Sequence, residues 1–374
     1  MRRIITALGV LTLYAGVLGL GCLSPGAARA EGGFVAGDAN GDGVLSAADA
    51  AVLLRSNLSL PPDGAVNLGI ADITGNGALD DTDARVMLHA SIGLIPDIDA
   101  FQQLLKDQNI IAESHFDRFS YTGIVQQETE TEDGFVRVYR TDSVSVTITS
   151  RVITHGKRSS NTCVADIFVR RLDNFRTGLS NDAFHAARVR TVDQAVAKDA
   201  VVAISGDFYD FSGRTGLCCR NGEWYRTTTD SEDICVMYYD GRMETLLSKT
   251  YDAEVLVAAA PYQVWGFGPA LLDENGNAKE RFNSALTANN PRSAMGYYEP
   301  GHYCFVLVDG SRNGATRNYG FTLTQLSELF FELGCTTAFN LDGGGTAVMA
   351  SRDGLLSQPS GQGREVSDIV YIAD

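Results

Sequence analysis

Apolar and polar positions change character three times along this 374-residue chain. Residues 4–20 form an almost unbroken apolar run behind Arg2 and Arg3, closed by the small-residue triplet Ala28-Arg29-Ala30. That order predicts an export signal over residues 1–30, cleaved before Glu31, with a retained membrane anchor as the alternative because the run is long enough to span a bilayer. Farther on, Val52 and Leu53, then Val86, Met87 and Leu88, recur at helical spacing and predict two short amphipathic helices, over 50–57 and 84–91. Residues 97–107 read as a linker helix. From about His115 short apolar runs alternate with turns, and the expectation is one α/β domain over 115–374.

Within that domain Val144, Val146 and Ile148 alternate as in a half-buried strand, whereas 201–204 and 304–308 are continuous apolar runs of buried-strand type. Residues 322–333 predict a helix: Thr322 and Gln325 form a capping box, Leu323, Leu326, Leu329, Phe330 and Leu333 share a face, and Gly334 stops it. With strands over 303–308 and 337–341 on either side, the order strand, helix, strand predicts parallel pairing within a mixed sheet and a right-handed crossover. Asp309 and Asp342 would then emerge side by side on one edge, where open sheets bind ligands. Helix 192–198 and strand 201–204 lead in the same way to Ser205-Gly206-Asp207-Phe208, a third acid-bearing turn.

The segments starting at Asp38 and Asp72 align without gaps at an offset of 34 residues, so the region is an internal repeat. Each copy carries oxygen side chains at positions 1, 3, 5, 9 and 12 of an EF-hand-type loop: Asp38, Asn40, Asp42, Ser46 and Asp49, then Asp72, Thr74, Asn76, Asp80 and Asp83. Gly43 and Gly77 supply the sharp turn, and Val44 and Ala78 offer backbone carbonyls at position 7. An all-oxygen cage on a flexible loop suits calcium better than magnesium. Loop plus one helix, twice, with Asp at position 12, resembles a dockerin over residues 31–95, a small all-α module joined by the linker at 96–114. That resemblance implies structural calcium and a cohesin partner on a scaffold or cell-surface protein, selected through Ala47, Ala48, Asp81 and Thr82. Calcium acting only to fold the module is the simpler reading.

Charge narrows the partners. Cleavage would remove Arg2, Arg3 and Arg29 and no acid, taking the net charge from -16 to -19, which disfavours nucleic acid. The six cysteines beyond residue 30 permit up to three disulfides in an exported protein, with Cys219 and Cys235 one short-loop pair, and buried free thiols as the alternative. No G-x-S-x-G elbow or H-E-x-x-H is present, and the five histidines lack metal-ligand spacing.

The run NLDGGGT, 340–346, combines Asn340 and Asp342 with Gly343, Gly344 and Gly345, whose amides would face an anion with no side chain in the way, and Thr346 follows. Arg292 opens another expected strand with a planar fork suited to phosphate, and Arg364 stands in the tail. SGDFY, NPRSAMGYYEPGHYCFVLVDG, LGCTTAFNLDGGGTAVM and REVSDIVYI together resemble the phosphodiester glycosidase family over most of 160–374. Departures are Ser205 in place of Asn, Thr346 in place of Ser, and Ser311 in place of an Arg for which Arg312 or Arg317 would substitute. The resemblance implies a secreted hydrolase cleaving a sugar-1-phosphodiester, for example one of N-acetylglucosamine, in a phosphorylated glycan. Asp342 and Asp309 would be its principal carboxylates with Asp207 third, Asn340 would orient sugar or water, and Arg292 with the glycine amides would hold the phosphate. A non-catalytic carbohydrate-phosphate binding module and a metal-dependent attack at phosphorus are the competing readings.

Overall fold

The computed structural model describes residues 35–374 except 61–69, 72, 74–78, 80, 93–108, 121–122, 211–215, 311–317 and 360–361. The export signal, the linker helix, the loop residues Asp72, Thr74, Asn76, Ala78 and Asp80, and Arg312 lie outside the described residues. No helix among the described residues is long and apolar enough to cross a membrane.

The N-terminal unit consists of helices α1 (Ala47–Asn57) and α2 (Asp81–Ser91), within a turn of the expected bounds. Ser46 caps α1 in a reciprocal box with Asp49. Val52, Leu53, Val86 and Met87 close with Ala71 and Ile73 into a small core, as their spacing requires.

The large domain is mostly β. Its first sheet runs β1 (Val125–Thr131), β2 (Gly134–Arg140), β3 (Val144–His155), β4 (Arg158–Val169), β14 (His302–Val308), β13 (Arg292–Glu299), β15 (Thr337–Asn340). A second runs β17 (Gly354–Leu355), β16 (Met349–Ser351), β7 (Val202–Ser205), β19 (Asp368–Ile372), β5 (Phe175–Leu179). The third runs β11 (Met243–Leu246), β10 (Ile234–Met237), β12 (Gln263–Trp265), β8 (Cys218–Arg220), β9 (Glu223–Arg226), and β6 (Val189–Arg190) pairs with β18 (Glu365–Val366). Val146, Ile148, Ala165 and Ile167 of the first sheet meet Val202 and Ile204 of the second and Cys235 and Trp265 of the third, so the main core lies where the sheets face one another. Helices are few: α3 (Thr191–Ala197), α4 (Ala253–Ala258) and α5 (Leu323–Glu332), the last with its Thr322 and Gln325 capping box in place.

The expected parallel β-α-β pairing is corrected. Every described ladder is antiparallel, and β14 and β15 do run the same way, but β13 lies between them and pairs with both. The physical reason is the tight turn at 300–301, where Gly301 takes φ +81° and folds β13 back on β14 as a hairpin before α5 begins. α5 then packs Leu326, Leu329 and Phe330 across that hairpin, against Ala294, Cys304 and Val306, and delivers β15 to the far side of β13. All six described cysteines are buried free thiols; Cys304 and Cys335 are a near pair, with sulfurs 3.5 Å apart.

Candidate active site

Because β14 and β15 both end where β13 begins, Asp309 and Asp342 leave the sheet on the same edge, two strand spacings apart rather than adjacent. The end of β7 joins them from the second sheet: the Asp342 amide donates to Gly206 O at 2.9 Å, the Ser205 hydroxyl to Asp342 O at 2.8 Å, and the Ser293 hydroxyl to Ser205 O at 3.2 Å. The SGDF, NPRS and NLDGGG segments are thereby knitted into one wall.

That wall borders a cavity of about 600 Å³ lined by Arg292, Asn340, Asp342, Gly343, Gly344 and Arg364, with the segment 283–286 opposite. Asn340 and Asp342 share a face by strand alternation. Asn340 donates through Nδ2 to Gly268 O and Leu341 O, and its Oδ1 is buried without a partner. Asp342 Oδ2 is likewise buried and unpartnered. Burial pushes the Asp342 carboxyl up to about 6, the Thr346 hydroxyl and Arg364 pull it back, and Asp207 pushes in the same direction as burial. Two orphaned acceptors in one cavity are places for a ligand's donors, since leaving them bare is costly.

Arg292 is 4% exposed and donates through Nε to Phe321 O (2.9 Å) and through Nη2 to Leu286 O and Ala288 O (2.8 and 2.5 Å). These are neutral carbonyls. With no carboxylate beside it, burial pulls the guanidinium down to about 10, and Nη1 has no partner among the described residues. Arg364 is exposed at the rim, its stem against Gly345, where a Cβ would stand 2.5 Å from its Nε. Arg188, which sequence reasoning missed, stacks on Phe208 at 4.4 Å and pairs with Asp210, close enough to favour the ionised form of Asp342. In a chain of net charge -16, this gathering of arginines marks an anion-seeking pocket.

Three expected roles change. The Gly344 amide is committed to Pro291 O at 2.9 Å, so it does not join an anion nest, although Gly343 and Gly344 do line the cavity. Asp207 is engaged elsewhere: Arg220 Nη2 reaches its Oδ1 at 2.6 Å and the Gly266 amide its Oδ2 at 2.7 Å, while Arg220 Nε also holds Asp368 at 2.9 Å. This ion triad is essentially solvent-free and braces the turn from behind. Asp309 is outside the cavity lining; its Oδ2 accepts from the Gln358 amide, its Oδ1 is unpartnered, and burial pushes it up to about 6. Sequence reasoning also missed Arg220, Asp368 and the segment 283–290; only the Asn-rich, Pro-terminated run before Arg292 hinted at a site-forming loop.

In the N-terminal loop the backbone wraps its carboxylates: Asp42 and Gly43 amides donate to Asp38, Val44's to Asp42, and those of Asn40 and Ser46 to Asp49. Asp38, Asp49 and Asp83 are buried.

Residues 198–373 match the family model described as phosphodiester glycosidase. Among solved structures, the catalytic domain of zebrafish N-acetylglucosamine-1-phosphodiester alpha-N-acetylglucosaminidase, auto-inhibited by its pro-peptide, aligns with 68% of this chain and 89% of its own, at 18% identity and a TM-score of 0.52. The large domain therefore has that mostly β fold. A hypothetical protein from Synechocystis aligns at 15% identity and a TM-score of 0.47, over 67% of this chain and 68% of its own. The SPbeta prophage-derived uncharacterized protein YomE of Bacillus subtilis (strain 168) is 27% identical over 194 residues, 50% of this chain. That stretch is 30% of YomE, so the chain spans under a third of that curated relative's length.

Proposed function

We propose that the large domain is a hydrolase that cleaves the sugar-oxygen bond of a sugar-1-phosphodiester, in the manner of a phosphodiester glycosidase. The carrying observation is the pairing, within one cavity, of a buried unpartnered carboxylate oxygen on Asp342 with a buried arginine that has no counter-charge, Arg292. A phosphomonoester leaves as a stable anion and needs little protonation. The site's tasks are then a carboxylate to activate water or attack the anomeric carbon, and cations to take up the leaving charge. Asp342 does the first; Arg292 and Arg364 do the second; Asn340 Oδ1 accepts from a sugar hydroxyl or amide. The attack-at-phosphorus reading required the aspartates to share a metal, and the commitment of Asp207 to Arg220 with Asp309 outside the cavity argues against it. Release of free sugar from a panel of α-linked sugar-1-phosphate esters, N-acetylglucosamine included, tests the proposal. Turnover of none of them, with binding retained, favours the carbohydrate-phosphate binding module.

The N-terminal unit we read as a calcium-dependent, dockerin-like module that tethers an exported enzyme to a cohesin. Its support is the sequence repeat and the convergence of Asp38, Asn40, Asp42 and Asp49 on one loop, which fits a hard cation held by Asp38, Asn40, Asp42, Val44, Ser46 and Asp49. The second loop contributes Asp83 by the same logic.

A further inference from the structure

The hairpin that opens the cavity at one end carries a second cluster at the other. Glu299 and His302 face each other across the β13–β14 turn. His115, from the turn of 3-10 helix Glu113–Arg118, brings its Nε2 to 2.6 Å from Glu299 Oε1, although 184 positions separate them. His302 Nε2 lies 2.7 Å from Asp166 Oδ1 on β4. The ligand atoms of His115, Glu299 and His302 all fall within 4.8 Å of one another. The His302 ring is clamped between Phe168, stacked at 3.9 Å, and Tyr298, stacked at 4.0 Å, so its nitrogen is held in place before anything binds.

We propose that His115, Glu299 and His302 bind a divalent transition ion of the zinc class, with Asp166 orienting the His302 ring. Two imidazoles and one carboxylate match the three protein donors of a four-coordinate zinc site whose last position a water would take, whereas calcium and magnesium take oxygen shells that imidazole does not supply. The histidines and acids come from three separate segments, and holding them together costs side-chain entropy that two partly exposed hydrogen-bonded pairs recover only in small part. Seven steps along β13 at about 3.4 Å each put the cluster roughly 24 Å from Arg292, so the ion's work is structural. It would fasten the segment entering the domain to the sheet that forms the active site.

The test uses the full chain in saturating calcium, which occupies the N-terminal loops. Zinc titrated calorimetrically should bind at one equivalent and raise the melting temperature, and cobalt should show the visible absorption of a four-coordinate ion. His115→Asn, on a surface turn, and Glu299→Gln should each weaken zinc by about a hundredfold or more and abolish the cobalt signature, since losing a direct ligand costs at least as much as losing its outer support. Asp38→Ala should leave both unchanged. Zinc affinity identical in wild type and in the combined His115→Asn, Glu299→Gln variant would overturn the assignment.

Discussion

Asp207 and Asp342 follow adjoining strand ends, but only Asp207 has an arginine in direct contact. Asp342 is ionised at neutral pH against its surroundings, because burial lifts its carboxyl from 3.8 to about 6 and its outer oxygen has no donor. The folded state therefore holds a proton between about pH 4 and pH 6 that the unfolded chain has released. Stability from this group is complete below pH 4 and is lost as pH rises through 6. Asp342→Asn should abolish that loss. We expect the variant to melt higher than wild type at pH 7, by an amount worth about 3 kcal/mol, with the gap closing toward pH 4. Hydrolysis should fall about a hundredfold or more while substrate still binds, and wild-type rate should decline below pH 6 as the carboxylate takes up its proton. Greater stability with near-normal turnover would remove Asp342 from the chemistry. Arg292→Lys should lower kcat and raise KM together, roughly tenfold or more in kcat/KM, because an ammonium cannot hold three carbonyls and still present a planar donor to phosphate. Arg220→Met, by contrast, strands Asp207 and Asp368 as uncompensated buried charges, and urea denaturation should show a loss of about 3–5 kcal/mol.

At the scale of elements, what was legible in the sequence was what is local. The cap, apolar stripe and glycine stop of α5 lie within thirteen consecutive residues, 322–334, and the helix forms where they place it. The strand at Arg292 was legible too, but nothing near it records that it slots between β14 and β15; pairing is decided by turns and packing far along the chain. Arg220 and Asp368 escaped for the same reason, being 148 positions apart and joined only in the folded core. Arg292, Asn340, Asp342 and the glycine turn could be singled out because their chemistry is written in neighbouring residues, and the structure brings them to one cavity. Within that turn the glycines are not equivalent. A Cβ on Gly343 would stand 2.6 Å from the Pro291 carbonyl, which is backbone and cannot yield, whereas one on Gly345 meets the movable stem of Arg364. Gly343→Ala should therefore destabilise the wall, read as a lower melting temperature with lost turnover. Gly345→Ala should leave the melting temperature nearly unchanged and raise KM by displacing Arg364.

The whole molecule joins two units with different sources of stability. The N-terminal core is built from a few small side chains and buried carboxylates that repel one another, so a calcium ion is expected to supply much of its folding energy. Calorimetry of the full chain should show a transition that calcium moves upward and EGTA or Asp38→Ala moves downward, beside a large-domain transition that stays put; a calcium-independent pair of transitions would leave the loop as a simple helix cap. The large domain has its own dependence, set by β19. This strand lies in the interior of the second sheet, between β7 and β5, and it brings Asp368 to the ion triad. Yet it follows every other described strand along the chain. Until it emerges, β5 and β7 have no partner edge in common and Arg220 lacks its second acid. A nascent chain stalled ahead of residue 368 would carry an unclosed second sheet with exposed edges, prone to chaperone capture and proteolysis, and that sheet would close only once this strand emerges. A polypeptide that cannot close early stays extended for as long as this strand is missing.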